Sequence, residues 1–340
     1  MTAPGLDRRQ RRVSPTAPEI ERVLRSDQGV STPHCSVMIT TRNQATFVVE
    51  AVASVLAQET DTTYEVIVVD DASTDETPAL IREMIATARR PLVYARLRSQ
   101  VGPAGGRNAA MSLARGEILA FTDSDCIADR RWLDEMIRAF ADPHVGVVQG
   151  RVEGLQQRIA LFEHHVEVAR LDGRFPTANT AFRRAAVGDF RFNPECWYWE
   201  DIDLAWRVLD RGWQPAFASN ALILHRIIPL PAMGWVLWPR HAAVLPAICA
   251  AHPRFRRHLF ARIWVEPMNL WFELAIIGVV LTPWRWFLIG LTFPYLVAFA
   301  RARGVAGRFP PAKVAVYVAR DVVNLVSLLS ASVKRRAVVL

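Results

Sequence analysis

The stretch Tyr64-Glu-Val-Ile-Val-Val69-Asp70-Asp71-Ala-Ser-Thr-Asp75 decides the fold. Its first six residues are nearly all apolar or β-branched, as a strand buried on both faces requires. Two consecutive acids close it. A helix over 75–89 is predicted behind the cap candidates Ser73, Thr74 and Asp75, with Pro78 in its first turn. The same alternation extends outward. Residues 35–40, 92–97 and 117–121 read as further strands, and 44–57 and 103–114 as further helices. Strands alternating with helices through short connections predict a doubly wound, mostly parallel α/β sheet. Such a sheet binds ligands at the carboxyl ends of its strands. Asp70-Asp71 falls at one such end and Asp123-Ser124-Asp125 at another.

Composition divides the 340 residues in two. The net charge is +8, yet residues 231–340 hold 14 Arg and Lys against 3 Asp and Glu, so the first 230 residues are slightly acidic. Six of the 11 Trp also lie in the C-terminal part. Basic, apolar and Trp-rich together point to a membrane surface and away from nucleic acid. Cys35, Cys126, Cys196 and Cys249 stand far apart, which argues against a disulfide framework or a zinc site and fits a reducing cytosol. Arg8, Arg9, Arg11 and Arg12 precede no apolar run, so the N-terminus does not read as a secretory signal.

Residues 1–33 are predicted to be a disordered or partly helical basic tail, with a short helix near 19–25. Residues 34–230 form the α/β domain, and 231–340 a helical, membrane-associating region. Within the latter, 268–280 and 284–300 are apolar arms around Thr282-Pro283, making a hairpin at about 266–300. Arg254, Arg256, Arg257 and Arg262 precede it; Arg301, Arg303 and Arg308 follow. Each arm is shorter than the ~20 residues of a spanning helix. A hairpin entering one leaflet keeps both basic flanks on one side. Two tilted spans or a soluble helical subdomain are the alternatives. A helix at about 312–333, interrupted by Arg320-Asp321, reads as interfacial.

Adjacent carboxylates repel and raise each other's pKa unless a cation compensates. Asp123 and Asp125 therefore suit Mg²⁺ or Mn²⁺ shared with substrate phosphates, or else they only cap the helix near 130–140. A carboxylate of the Asp70-Asp71 pair can accept from a base N–H or a ribose hydroxyl. Gly102-Pro-Ala-Gly105-Gly106-Arg107-Asn108 opens a helix without GxGxxG or P-loop spacing, and its arginine can meet a phosphate; no GxGxxG follows the first strand, which excludes a nicotinamide dehydrogenase. Glu200, Asp201 and Asp203 sit at a helix start, where capping explains some of them. The flanking Trp197, Tyr198 and Trp199 offer a sugar platform. His225 ends the apolar run 221–224, and is either a structural histidine or a metal or phosphate ligand.

In order along the chain, SVMITTRN (36–43), VVDDASTD (68–75), VGPAGGRNAAMSLARGEILAFTDSDC (101–126), NTAFRR (179–184), WEDIDLAWRVLDRGW (199–213) and LILHR (222–226) resemble the family 2 glycosyltransferases of GT-A fold. The resemblance covers about residues 35–230. It implies that Thr40 and Arg42 lie near the nucleotide, Asp71 at the base and Asp70 at the nucleoside. It places Arg107 near the diphosphate, Asp123 on ribose or metal, and Asp125 as principal ligand of Mn²⁺ or Mg²⁺. Asp201 becomes the catalytic base, with Trp199, Glu200 and Asp203 as supporting or acceptor residues. Asn179 falls on the acceptor side, and His225 is a further metal or phosphate ligand. Trp206-Arg207 lacks the arrangement of the processive polymer synthases, which implies single sugar addition.

The implied reaction is inverting transfer from a nucleotide-diphosphate sugar, with UDP, GDP or dTDP as carrier. The acceptor would be a lipid-linked or envelope glycan at the cytoplasmic face of the membrane. A nucleotide-binding but inactive membrane scaffold is the competing reading.

Overall fold

The computed structural model describes residues 18–26, 32–156, 161–164, 166–194, 196, 198–302 and 311–340. Arg8, Arg9, Arg11, Arg12, Trp197, Arg303 and Arg308 lie outside the described residues. The chain divides into two compact units, with the boundary between Pro229 and Leu230.

The first unit contains β1 (Ile20–Arg25), β2 (Cys35–Thr41), α1 (Ala45–Leu56), β3 (Tyr64–Asp70), α2 (Thr77–Thr87), β4 (Leu92–Leu97), α3 (Gly102–Leu113), β5 (Ile118–Asp123), β6 (Cys126–Ala128) and α4 (Trp132–Arg138). It continues with β7 (Val145–Gly154), β8 (Glu163–His164), β9 (Thr180–Arg183), α5 (Arg184–Val187), α6 (Glu200–Asp210), β10 (Gln214–His225) and β11 (Ile228–Pro229). Among the described residues, nine strands form one sheet in the order β1-β4-β3-β2-β5-β9-β7-β10-β6. Strands β4, β3, β2 and β5 are mutually parallel, β9 reverses, and β7 and β10 run with them again. Only β1, β9 and β6 oppose the rest, so the sheet is doubly wound and mostly parallel, as predicted.

Every residue of β3 is buried, including Glu65, because parallel neighbours flank it and helices cover the sheet. Glu65 is tolerated there because Ser36, the Arg115 amide and the Arg115 guanidinium all donate to its carboxylate. The core on one face joins Val37, Ile39, Val48, Val52, Val66, Val68, Ala120, Trp132 and Met136.

Residues 19–25 are not helical. Ile20–Arg25 is an edge strand antiparallel to β4, with Leu24 packed on the core and Glu19 and Glu21 paired with Arg98 and Arg96. Cross-strand charge pairing outweighs the weak local helical signal. Register aligns the strand ends: Thr40 pairs with Asp123 on one side, and Thr41 with Asp70 on the other. Both acids are thus the last residues of their strands, two positions further along β5 than the sequence pattern indicated.

The second unit carries α7 (Ala232–Leu237), α8 (Leu245–Ala251), α9 (Pro267–Leu281), α10 (Thr292–Ala302) and α11 (Pro311–Arg335), with 3-10 turns between. Glu266 and Asn269 form a capping box at the start of α9, and the helix stops at Thr282-Pro283. Phe272, Ala275, Tyr295 and Phe299 form a small core, with Tyr317, Val318 and Leu325 of α11 against it. The charged interruption of α11 is partnered. Tyr295 Oη donates to Asp321 at 2.7 Å, and Arg320 donates to the Trp235 carbonyl at 3.1 Å with its Cζ 4.0 Å from that ring. Ala312–Arg335 is long and apolar enough to cross a bilayer; α9 and the 286–301 segment are shorter.

Candidate active site

The strand ends and the start of α3 enclose a cleft of about 340 Å³. Thr40, Arg42, Asp71, Arg107, Asp123 and Asp125 all line it. The structure therefore brings together six of the residues singled out in the sequence, from four separate segments.

Asp71 forms one wall. Its carboxylate accepts from the amides of Val101 at 2.7 Å and Gly102 at 2.9 Å. Gly102 has φ +82°, a conformation that strains side-chain-bearing residues and here lets the chain turn its amide to Asp71. Burial pushes the Asp71 pKa up, opposed by those two amides. Arg42 braces the same loop by donating to the carbonyls of Asp71 and Ala72 at 2.6 and 3.1 Å.

Asp70 is not a cleft residue. It is fully buried, accepting from the Ser73 amide, from Tyr94 Oη at 2.7 Å and from Arg96 at 2.9 Å. Consecutive strand residues point to opposite faces, so Asp70 and Asp71 could not share one role. Asn179, expected on the acceptor side, is also fully buried. Its Nδ2 donates to the carbonyls of Arg151 at 2.7 Å and Ala221 at 2.8 Å, and its Oδ1 accepts from Trp132 Nε1 at 2.8 Å. It fastens β7 to β10 where their register shifts. Gly150 leaves the room, since a Cβ there would stand 2.3 Å from Asn179 Nδ2.

Asp123, Asp125, Cys126 and His225 present ligand atoms within 4.8 Å of one another. The Cys126 thiol is fully buried and pushed well above its usual pKa by burial and by both aspartates, so it stays protonated. Two carboxylates and an imidazole remain. His225 Nδ1 lies 2.7 Å from the Arg226 carbonyl, which can only accept, so Nδ1 carries a proton, and Nε2 faces Asp125 at 3.7 Å. Burial raises the Asp125 pKa, His225 lowers it and Asp123 raises it again, with a net upward shift. Acceptors converging from three residues in a partly buried place fit a divalent cation.

Arg107 ties this cluster to α6. Its Nη2 donates to Asp123 Oδ1 at 3.1 Å and its Nη1 to Glu200 Oε1. Burial disfavours its charge, but Glu200, Asp123 and Asp201 outweigh that and hold its pKa up. Asp201 follows Glu200, outside the cleft lining. It accepts from its neighbour's amide at Ile202 (2.9 Å) and from Thr177 (3.3 Å). Burial and Glu200 push its pKa up to about 7, against the pull of Arg107. Trp199 enters α6 at φ +69°, a left-handed conformation costly for a bulky residue. Asp203 is engaged by Arg207 one turn on, at 2.7 Å.

Thr41, Gln44, Gln100, Ser124 and Tyr198, with Gly102, Pro103 and Gly106 at the start of α3, complete the lining. Sequence reasoning passed over Thr41, Gln44 and Gln100. Of the aromatic run, Tyr198 lines the cleft, while Trp199, the one expected among the acceptor or supporting residues, is not among the lining residues. The Thr41 hydroxyl is buried and has no partner among the described residues, which leaves it available to a ligand.

Residues 36–196 match the family model described as Glycosyl transferase family 2. "Uncharacterized glycosyltransferase YfnE" of Bacillus subtilis is 33% identical over 145 residues, 42% of this chain and 36% of that protein. "Uncharacterized protein Mb1547" of Mycobacterium bovis is 36% identical over 250 residues, 69% of this chain and 63% of that protein. The match to the first spans little more than a third of that relative's length. In fold, the chain is similar to the mannosyltransferase PcManGT from Pyrobaculum calidifontis, a structure in complex with GDP-Man and Mn²⁺. The TM-score is 0.56 at 21% identity, covering 92% of this chain and 90% of that one. The segment 36–196, which carries most of the sheet and the converging strand-end acids, is thus similar to the Glycosyl transferase family 2 model over a little under half of the chain.

Proposed function

We propose that this protein transfers a sugar from a nucleotide-diphosphate donor to an acceptor hydroxyl with inversion at the anomeric carbon. One observation carries the reading: acids from the ends of β3 and β5 line a single cleft, and Arg107 connects it to the acid pair that opens α6. Thr40, Thr41, Arg42 and Asp71 would receive the nucleotide, UDP, GDP or dTDP. Asp123, Asp125 and His225 would hold Mn²⁺ or Mg²⁺, which when bound supplies Lewis-acid stabilisation to the departing diphosphate. Asp201, with a pKa near neutrality, accepts the proton of the acceptor hydroxyl as that oxygen bonds to the anomeric carbon. The bond from that carbon to the diphosphate oxygen breaks, and its electron pair leaves with the diphosphate.

The C-terminal unit would anchor the enzyme at the cytoplasmic face of a membrane, near a lipid-linked or envelope glycan. Trp284 and Trp286 are 70% and 78% exposed, and Phe287, Phe293 and Leu296 are exposed beside them in sequence. Such an apolar, aromatic surface favours the hairpin entering one leaflet.

Thermal-shift titration with UDP, GDP and dTDP, each with Mn²⁺ or Mg²⁺, tests the donor site, because a ligand of the native state raises Tm by mass action. At least one nucleotide is expected to stabilise the protein, and less so with EDTA. Absence of any shift across the set would overturn the reading.

A further inference from the structure

Among the acids around the cleft, Arg107 is the cation that reaches both sides of the reaction. One arm of its fork holds Asp123 on β5, at 3.1 Å; the other holds Glu200 on α6. The next residue of α3 grips the chain leading into α6: Asn108 donates to the Phe192 carbonyl at 2.8 Å and accepts the Phe192 amide at 2.8 Å. The Phe192 ring lies under the guanidinium, 5.9 Å from Cζ. Arg107-Asn108 is therefore a double clasp between the donor half of the site and the segment that carries Asp201.

We infer that Arg107 is a positioning residue for Asp201: by bridging Asp123 and Glu200 it sets the spacing between the donor-side carboxylate and the base. This rests on the glycosyl-transfer reading above. The family resemblance implied a place for Arg107 near the diphosphate, but a phosphate would have to compete with two carboxylates for a buried guanidinium. Without the bridge, Asp123 and Glu200 repel each other at low dielectric and the start of α6 moves away. Lysine keeps the charge but is a point donor on a flexible stem, so it can satisfy one carboxylate and not both in fixed geometry.

The test is a double-mutant cycle with Arg107→Lys, Glu200→Gln and the double variant. It is read by release of the nucleoside diphosphate from UDP-glucose, GDP-mannose and dTDP-glucose with Mn²⁺, and by urea denaturation. Arg107→Lys is expected to lower kcat on the order of 10²-fold, as a displacement of about 1 Å at a site does, with donor KM unchanged within about threefold. The double variant is expected to be no slower than the slower single variant, because both act through one bridge. A raised donor KM with kcat retained would make Arg107 a phosphate ligand and overturn the inference, as would multiplicative losses. The denaturation cycle reads the same bridge without catalysis, and additive stability changes would overturn it. Coupled stabilities in a protein that releases no nucleoside diphosphate from any donor would leave the bridge standing and sink the transferase reading.

Discussion

His225 Nε2 faces Asp125 Oδ1 at 3.7 Å, while the other ring nitrogen gives its proton to the backbone of Arg226. The backbone contact fixes the ring orientation, so that Nε2 and the Asp125 carboxylate are held toward one point. Asp125→Ala is expected to abolish saturable Mn²⁺ binding, and His225→Ala to weaken it roughly tenfold or more. Titration of free Mn²⁺ by electron paramagnetic resonance measures both. Unchanged Mn²⁺ affinity in Asp125→Ala would exclude this cluster as the metal site.

As the proposed base, Asp201 would act only when ionised. With its pKa near 7, transfer is expected to fall as pH drops below about 7, with unit slope. Asp201→Asn is expected to lose about 10²-fold or more of kcat. Stability has the opposite sign: a carboxylate whose folded pKa is raised binds its proton more tightly when folded. Its ionisation therefore costs stability as pH rises from the unfolded pKa through about 7. The Tm of Asp201→Asn relative to the native protein should accordingly be higher at pH 8 than at pH 4. A pH-independent difference would show that Asp201 does not titrate in this range.

Asn179 answers to stability. Asn179→Ala leaves the Arg151 and Ala221 carbonyls and the Trp132 Nε1 proton without their partner. A loss of about 2–4 kcal/mol is expected from buried orphaned groups, read by urea denaturation. Donor affinity measured at a temperature where the variant is folded should be unchanged. A stable variant with a raised acceptor KM would instead return Asn179 to the acceptor side.

The exposed aromatic residues of the second unit set the fourth expectation. Replacing Trp284, Trp286 and Phe287 together with Ser should weaken sedimentation with anionic vesicles at least about tenfold, given the apolar area removed. Binding of the native protein should persist in high salt. Release of the native protein by salt alone would mean that the basic residues act without insertion.

Much of this protein is legible one residue after another. The buried run of β3 is apolar at nearly every position, and that requires parallel neighbours wherever it folds. The acids at 70–71, 123–125 and 200–201 follow strand ends or open a helix, so their approximate place was a consequence of local pattern. Local pattern misread 19–25, because Ile20–Arg25 becomes a strand only when β4 supplies hydrogen-bond partners and Arg96 and Arg98. It also missed β7, whose register pairs Val145 with Gln214 and Gly154 with His225, far along the chain.

What the sequence determined by itself is the strand–helix alternation of residues 35–121, the α/β class it implies and the set of candidate acids, since periodicity and residue type act over a few neighbours. What only the tertiary structure decided is the partner of each polar group. Asp70 and Asp71 are adjacent and chemically identical, yet one is locked by Tyr94 and Arg96 while the other lines the cleft. Arg107 could have faced a phosphate, but α6 brings Glu200 to it from 93 positions along the chain. A buried charge takes whichever counter-charge the packed chain delivers, and that delivery is a property of the fold rather than of any local segment.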